Sequence, residues 1–98
     1  METITDREEH EFAAKAAGMT IDWMCGQIWR PKTSNADAFG LMVACHMDVD
    51  FFREDTGGAV DIYFLRGERV TEPEGSDLEA ATRRAIFRAA VAIGRAME

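Results

Sequence analysis

Trp29-Arg30-Pro31-Lys32-Thr33-Ser34-Asn35-Ala36-Asp37-Ala38 sets an aromatic anchor, a turn and a helix start side by side. Pro31 fixes its own φ and holds Arg30 extended, so a helix does not run through this point. Ser34, followed three residues later by Asp37, has the spacing of a capping box, in which two side chains satisfy free N–H groups at a helix start. The stretch separates what precedes it from a helix predicted over about Asn35–His46. It specifies architecture, not chemistry.

Downstream, Ala36, Ala38, Phe39, Leu41, Met42, Val43, Ala44 and Cys45, placed at 100° per residue, cover nearly the whole circumference of that helix. A helix apolar all round is buried on most sides, so this one is expected between layers or under a partner. Upstream, Thr5-Asp6-Arg7-Glu8 is a second capping box, opening a helix over about Asp6–Ala17 that Gly18 stops. Its stripe of Phe12, Ala13, Ala16 and Ala17 is mostly alanine and must pack closely. Between the two helices, Ile21, Trp23 and Cys25 alternate with Asp22 and Met24, the period of a strand.

Asp48–Phe52 and Ala59–Leu65 read as strands joined by Asp55-Thr56-Gly57-Gly58, whose glycines offer the positive φ of a hairpin turn. Arg66–Val70 either continues this pattern or turns, and Thr71–Gly75 reads as a connector. Ser76-Asp77-Leu78-Glu79 has the box spacing again and opens the longest helix, about Asp77–Met97. The expected order is α-β-α-β-β-α. It makes one α+β domain over residues 1–98, with a small, mainly antiparallel sheet of about three strands layered with three helices.

A chain of 98 residues, 47% hydrophobic and 30% charged, is globular, and none of its apolar runs approaches the roughly 20 residues of a membrane span. Its start lacks the basic and apolar regions of a secretory signal, which gives a cytoplasmic expectation. Cys25 and Cys45 have no Cys-x-x-Cys spacing and read as buried free thiols, the alternative being a disulfide between them, which a cytosolic protein rarely keeps. The net charge of −7 favours solubility and opposes general nucleic-acid affinity, although a DNA mimic would also be acidic. The charge is uneven: Arg83, Arg84, Arg88 and Arg95 outweigh Asp77, Glu79 and Glu98, so residues 77–98 carry +1 and the rest −8.

Trp29-x-Pro31-x-Thr33 and the Asp37-Ala38 helix start, together with Ala80-Ala81-x-x-Arg84-Ala85-x-x-Arg88-Ala89-Ala90, resemble the small phage and prophage proteins grouped as the phage ABA sandwich domain. The likeness covers nearly the whole chain, with Ser34 where that family usually has an acidic residue after the Thr. It implies a phage gene product with helices layered about a small sheet. It supplies no established activity, no cofactor and no catalytic residues.

Three constellations carry what chemistry the sequence offers. His46, Asp48 and Asp50 share one side of an extended chain and are a candidate divalent-metal set, as a metal-dependent enzyme would need; a helix-capping His and strand-face Asp residues account for the same pattern. Arg84, Arg88 and Arg95 fall within about 40° on the last helix and are a candidate anion or phosphate stripe, against an ordinary solvated face carrying a Glu79–Arg83 pair. On that helix Leu78, Ala81, Ala85, Ala89, Ala92, Ile93 and Ala96 form the main core stripe. Ala80, Phe87, Val91 and Gly94 form a second, to be covered by the first helix or by a second copy of the chain. Trp29 and Arg30 are either a recognition pair or, for the ring, a lid on the core. Two His leave little general-base capacity near neutral pH and no nucleophile arrangement is legible. The expected class is therefore a non-enzymatic accessory protein that associates with itself or with another phage or host protein.

Overall fold

The computed structural model describes residues 4–19, 29–54, 57–65 and 67–97. Its elements are α1 (Asp6–Ala16), α2 (Asn35–Ala44), β1 (Asp48–Glu54), β2 (Gly57–Phe64), β3 (Glu68–Pro73) and α3 (Leu78–Ala96). The expected α+β class, with three helices and a three-stranded antiparallel sheet, is present. The order among the described residues is α-α-β-β-β-α. The strand predicted over 20–25 lies outside the described residues. The third strand is instead β3, in a region read partly as a connector. Leu65 (φ 51) and Gly67 (φ 86) bend the chain back tightly, so Glu68–Pro73 meets β2 as its antiparallel neighbour. Pro73 sits where a ladder tolerates it, at the end of an edge strand.

The sheet runs β1-β2-β3, with Phe51 opposite Val60 and Ile62 opposite Val70. Val60, Ile62 and Phe64 of β2 are buried on one face, against α3. α3 packs on β2 and β3 on one side and on α1 on the other, with α2 beside it, so it forms the middle layer. That position is why both its stripes are buried: Ala81, Ala85 and Ala89 on one side, Phe87, Val91 and Gly94 on the other. Alanine and glycine let the layers close. At Gly94 a Cβ would stand 2.6 Å from the carbonyl carbon of Phe12, so α1 crosses α3 backbone to backbone there.

Helix ends follow the sequence with two departures. Thr5 and Glu8 form the predicted box, and Gly18 (φ 72) lets Met19 N–H reach Ala14 O at 2.8 Å as a Schellman stop. Ser34 accepts from Asp37 N–H, but the Asp37 carboxylate accepts from Arg30 N–H at 2.8 Å, across the Pro31 turn, rather than closing a box. At α3 the cap is Asp77, accepting from Ala80 N–H, one residue later than the predicted Ser76. In the β1–β2 hairpin Gly57 (φ 134) has the expected positive φ and Gly58 does not. Gly58 is small because a Cβ there would meet Phe52 O at 2.8 Å.

Asp61 is the one buried charged residue among the described residues, 5% exposed on the sheet face opposite α3. Its carboxylate accepts from the Thr71 hydroxyl at 2.5 Å and the Tyr63 hydroxyl at 3.4 Å, with Arg69 at 4.0 Å. Those partners offset the cost of taking a charge out of water.

Candidate functional site

α2 is fixed from its first residue. Asn35 donates to Glu79 at 2.6 Å and accepts from Arg83 at 2.6 Å, and Arg83 also donates to Lys32 O at 2.9 Å. The start of α2 is thus tied to the first turns of α3, and Glu79 and Arg83, expected as a simple surface pair, both hold Asn35. Ala38 and Leu41 turn inward and are buried. The opposite side of α2 is not covered: Phe39 is 63% and Val43 54% exposed. The expected burial of this helix on most sides is corrected here, because its neighbour α3 covers one side only.

Past α2 the chain ends the helix with a second Schellman stop, His46 N–H to Val43 O and Met47 N–H to Met42 O, each 3.1 Å. His46 takes the left-handed position (φ 51) that Gly fills at α1. Asp48 then starts β1 at once. Among the described residues β1 is an edge strand whose backbone pairs with β2, and α3 lies over β2 and β3. Alternation sends Val49 and Phe51 to the same side of the sheet as Val60 and Ile62, but Phe51 remains 55% exposed.

Between α2, β1 and the N-terminal turns of α3 lies a groove of about 860 Å³. Met42 and Met47 line it with Phe39 on one wall, Val49 and Phe51 on the other, and Ile86 below. Asp48, Asp77 and Glu79 stand on its rim, with Arg83 as the single basic lining residue among the described residues. Chemically it is an apolar recess with acidic edges, open towards solvent. Methionines suit such a surface, since their flexible thioether chains repack against varied shapes.

The residues singled out from sequence fall elsewhere. Phe87 is 2% exposed, with the His10 ring 4.7 Å and Lys32 Nζ 5.1 Å from its ring centre. Phe87, Val91 and Gly94 face α1 of the same chain, and Ala80 is half-buried, so this stripe is taken up within the molecule rather than left for a second copy. Trp29 is half-buried, its ring edge-on to His10 at 6.1 Å, while Arg30 is exposed. Arg84 and Arg88 both bind the carboxylate of Glu72 on β3, and Arg95 lies 5.9 Å over the Phe12 ring. Two of the three guanidiniums of the candidate anion stripe are thus engaged by one carboxylate of β3, which offsets a single charge. His46 serves a helix stop, and among the described residues no three His, Cys, Asp or Glu side chains converge as a metal would require, which corrects the set His46, Asp48, Asp50. Cys45 is a free, half-buried thiol whose pKa burial pushes up, so it is a poor nucleophile; Cys25 lies outside the described residues.

One signal that could have found the groove is the apolar circumference of α2, expected between layers or under a partner. Phe51-Phe52 gave a second, since adjacent aromatics in a strand put one ring on each face. Among the described residues no helix is long and apolar enough to cross a membrane. No family model, curated protein or solved structure matches the chain.

Proposed function

We propose that this chain is a small accessory protein that works by associating with another protein rather than by catalysis. The observation that carries the reading is the groove of about 860 Å³ lined by the exposed Phe39, with the exposed Val43 one turn further along α2. Surface apolar residues scattered singly need no explanation, whereas a contiguous recess with exposed aromatics at its lip marks a binding surface. The resemblance to the phage ABA sandwich domain supports a phage or prophage setting, acting in the cytoplasm of a bacterial host. A photoreactive phenylalanine analogue at Val43, compared with one at Glu11 on α1, tests the association in cells. Discrete adducts from position 43 that disappear in a Phe39→Asp background are the expected result; equal labelling from both positions would overturn it.

A further inference from the structure

Resting on that reading, we infer that the groove takes an amphipathic, positively charged helix of a partner protein. The shape argument starts from the layers. A helix is about 10 Å across and strands lie about 4.8 Å apart, so α3 covers two strands of the three. Among the described residues the strand with no helix over it is β1, whose half-buried Val49 and exposed Phe51 face the groove beside α3. A partner helix laid there, parallel to the sheet and against Phe39 and Met42, completes the helical layer over β1. β1 has 7 residues, about 23 Å of strand, which a helix of roughly 15 residues spans. A strand added beside β1 would leave Phe39 and Met42 of α2 uncovered, so the apolar surface favours a helix.

Charge selects the partner. Among the described lining residues Asp48, Asp77 and Glu79 stand against one basic residue, Arg83, so the recess carries a net acidic balance, and Arg83 is held in place by Asn35 and Lys32 O. A second copy would bring the same carboxylates, and a net −7, against this rim. Lys or Arg flanking an apolar stripe meets them with opposite sign, which raises the on-rate and rejects acidic competitors.

Fluorescence anisotropy of the full chain with three labelled 15-residue peptides tests this: an amphipathic Leu/Lys helix, its Leu/Glu counterpart, and the Leu/Lys composition scrambled to destroy the apolar stripe. The Leu/Lys helix should bind at least about tenfold more tightly than either of the others, tenfold being about 1.4 kcal/mol. Phe39→Asp and Val43→Asp should each weaken it by about tenfold or more while leaving the melting temperature near wild type, because both side chains are largely exposed. General attraction to an acidic protein predicts the reverse, since either variant adds negative charge. Equal binding of the Leu/Lys and Leu/Glu helices would overturn the charge selection and leave the groove as an association site. Binding that Phe39→Asp and Val43→Asp do not change, or no binding by any of the three, overturns the inference, and the crosslinking at position 43 then decides the underlying reading.

Discussion

Glycine at two helical positions does opposite things. Gly94 sits where α3 touches the backbone of α1, and a Cβ there would lie 2.6 Å from Phe12 C and 2.9 Å from Phe12 Cα. Backbone gives way less easily than a side-chain tip, so Gly94→Ala should lose about 3 kcal/mol, the upper end of overpacking costs. Gly40, on the exposed side of α2, has nothing within 4 Å of such a Cβ. Gly40→Ala should therefore gain about 0.5 to 1 kcal/mol from helix propensity. His46 is the third case. It holds φ 51 at a helix stop, a conformation that costs a side-chain-bearing residue about 1 kcal/mol or more, so His46→Gly should stabilise by a similar amount. Thermal melts of the three single variants decide the signs; a Gly94→Ala protein as stable as wild type would mean that α1 does not approach α3 as closely as described.

At the level of elements, α2 divides into a face that holds the fold and a face that does not. Leu41 is almost fully buried, so Leu41→Ala should cost about 2 to 5 kcal/mol, whereas Phe39→Ser should change stability by less than about 0.5 kcal/mol. Urea midpoints of the two variants separate the faces, and a Phe39→Ser loss as large as that of Leu41→Ala would refute the division. α1 has a pH-dependent tie of its own. Lys32 of the Pro31 turn donates to Asp6 at 2.7 Å, and that bond holds the Asp6 carboxyl below its ordinary pKa. A folded pKa below the unfolded one means stabilisation that is complete above the unfolded value and is lost as pH falls through the folded one. The pair is exposed, so its contribution is small, but Lys32→Met should flatten part of the stability loss between neutral pH and the acid end of the carboxylate range. An unchanged acid limb in urea titrations of that variant would assign the loss to other carboxylates. The caps of α1 and α2 were legible because a cap is a local spacing of side chain and N–H, as at Thr5 and Glu8, while at α3 the same spacing fitted Ser76 and the cap is Asp77. β3 was not legible, because Arg69, Thr71 and Glu72 become a strand only by pairing with β2, an interaction absent from their own neighbourhood.

For the whole molecule, the fold class was readable from periodicity, yet the middle-layer role of α3 was not, since two buried stripes on one helix do not say which is met by a sheet and which by α1. The candidate site was less readable still: Phe39, Phe51 and Ile86 come from three separate elements and line one groove only after folding. What the sequence did expose was the imbalance that creates the site, a helix with more apolar surface than one neighbour can cover. That same surface sets the last expectation. Two copies meeting groove to groove would bury Phe39, Val43 and Phe51 but oppose net charges of −7. At about 0.1 M salt the screening length is about 10 Å, long enough for rim carboxylates to repel across such a contact, while at about 1 M it falls to about 3 Å. Sedimentation equilibrium at micromolar protein should therefore show a monomer at low salt and weak self-association at high salt that Phe39→Asp removes. A dimer already present at low salt, and lost in Phe39→Asp, would show that the apolar face outweighs the repulsion and that a second copy, rather than a basic helix, is what the groove is built to hold.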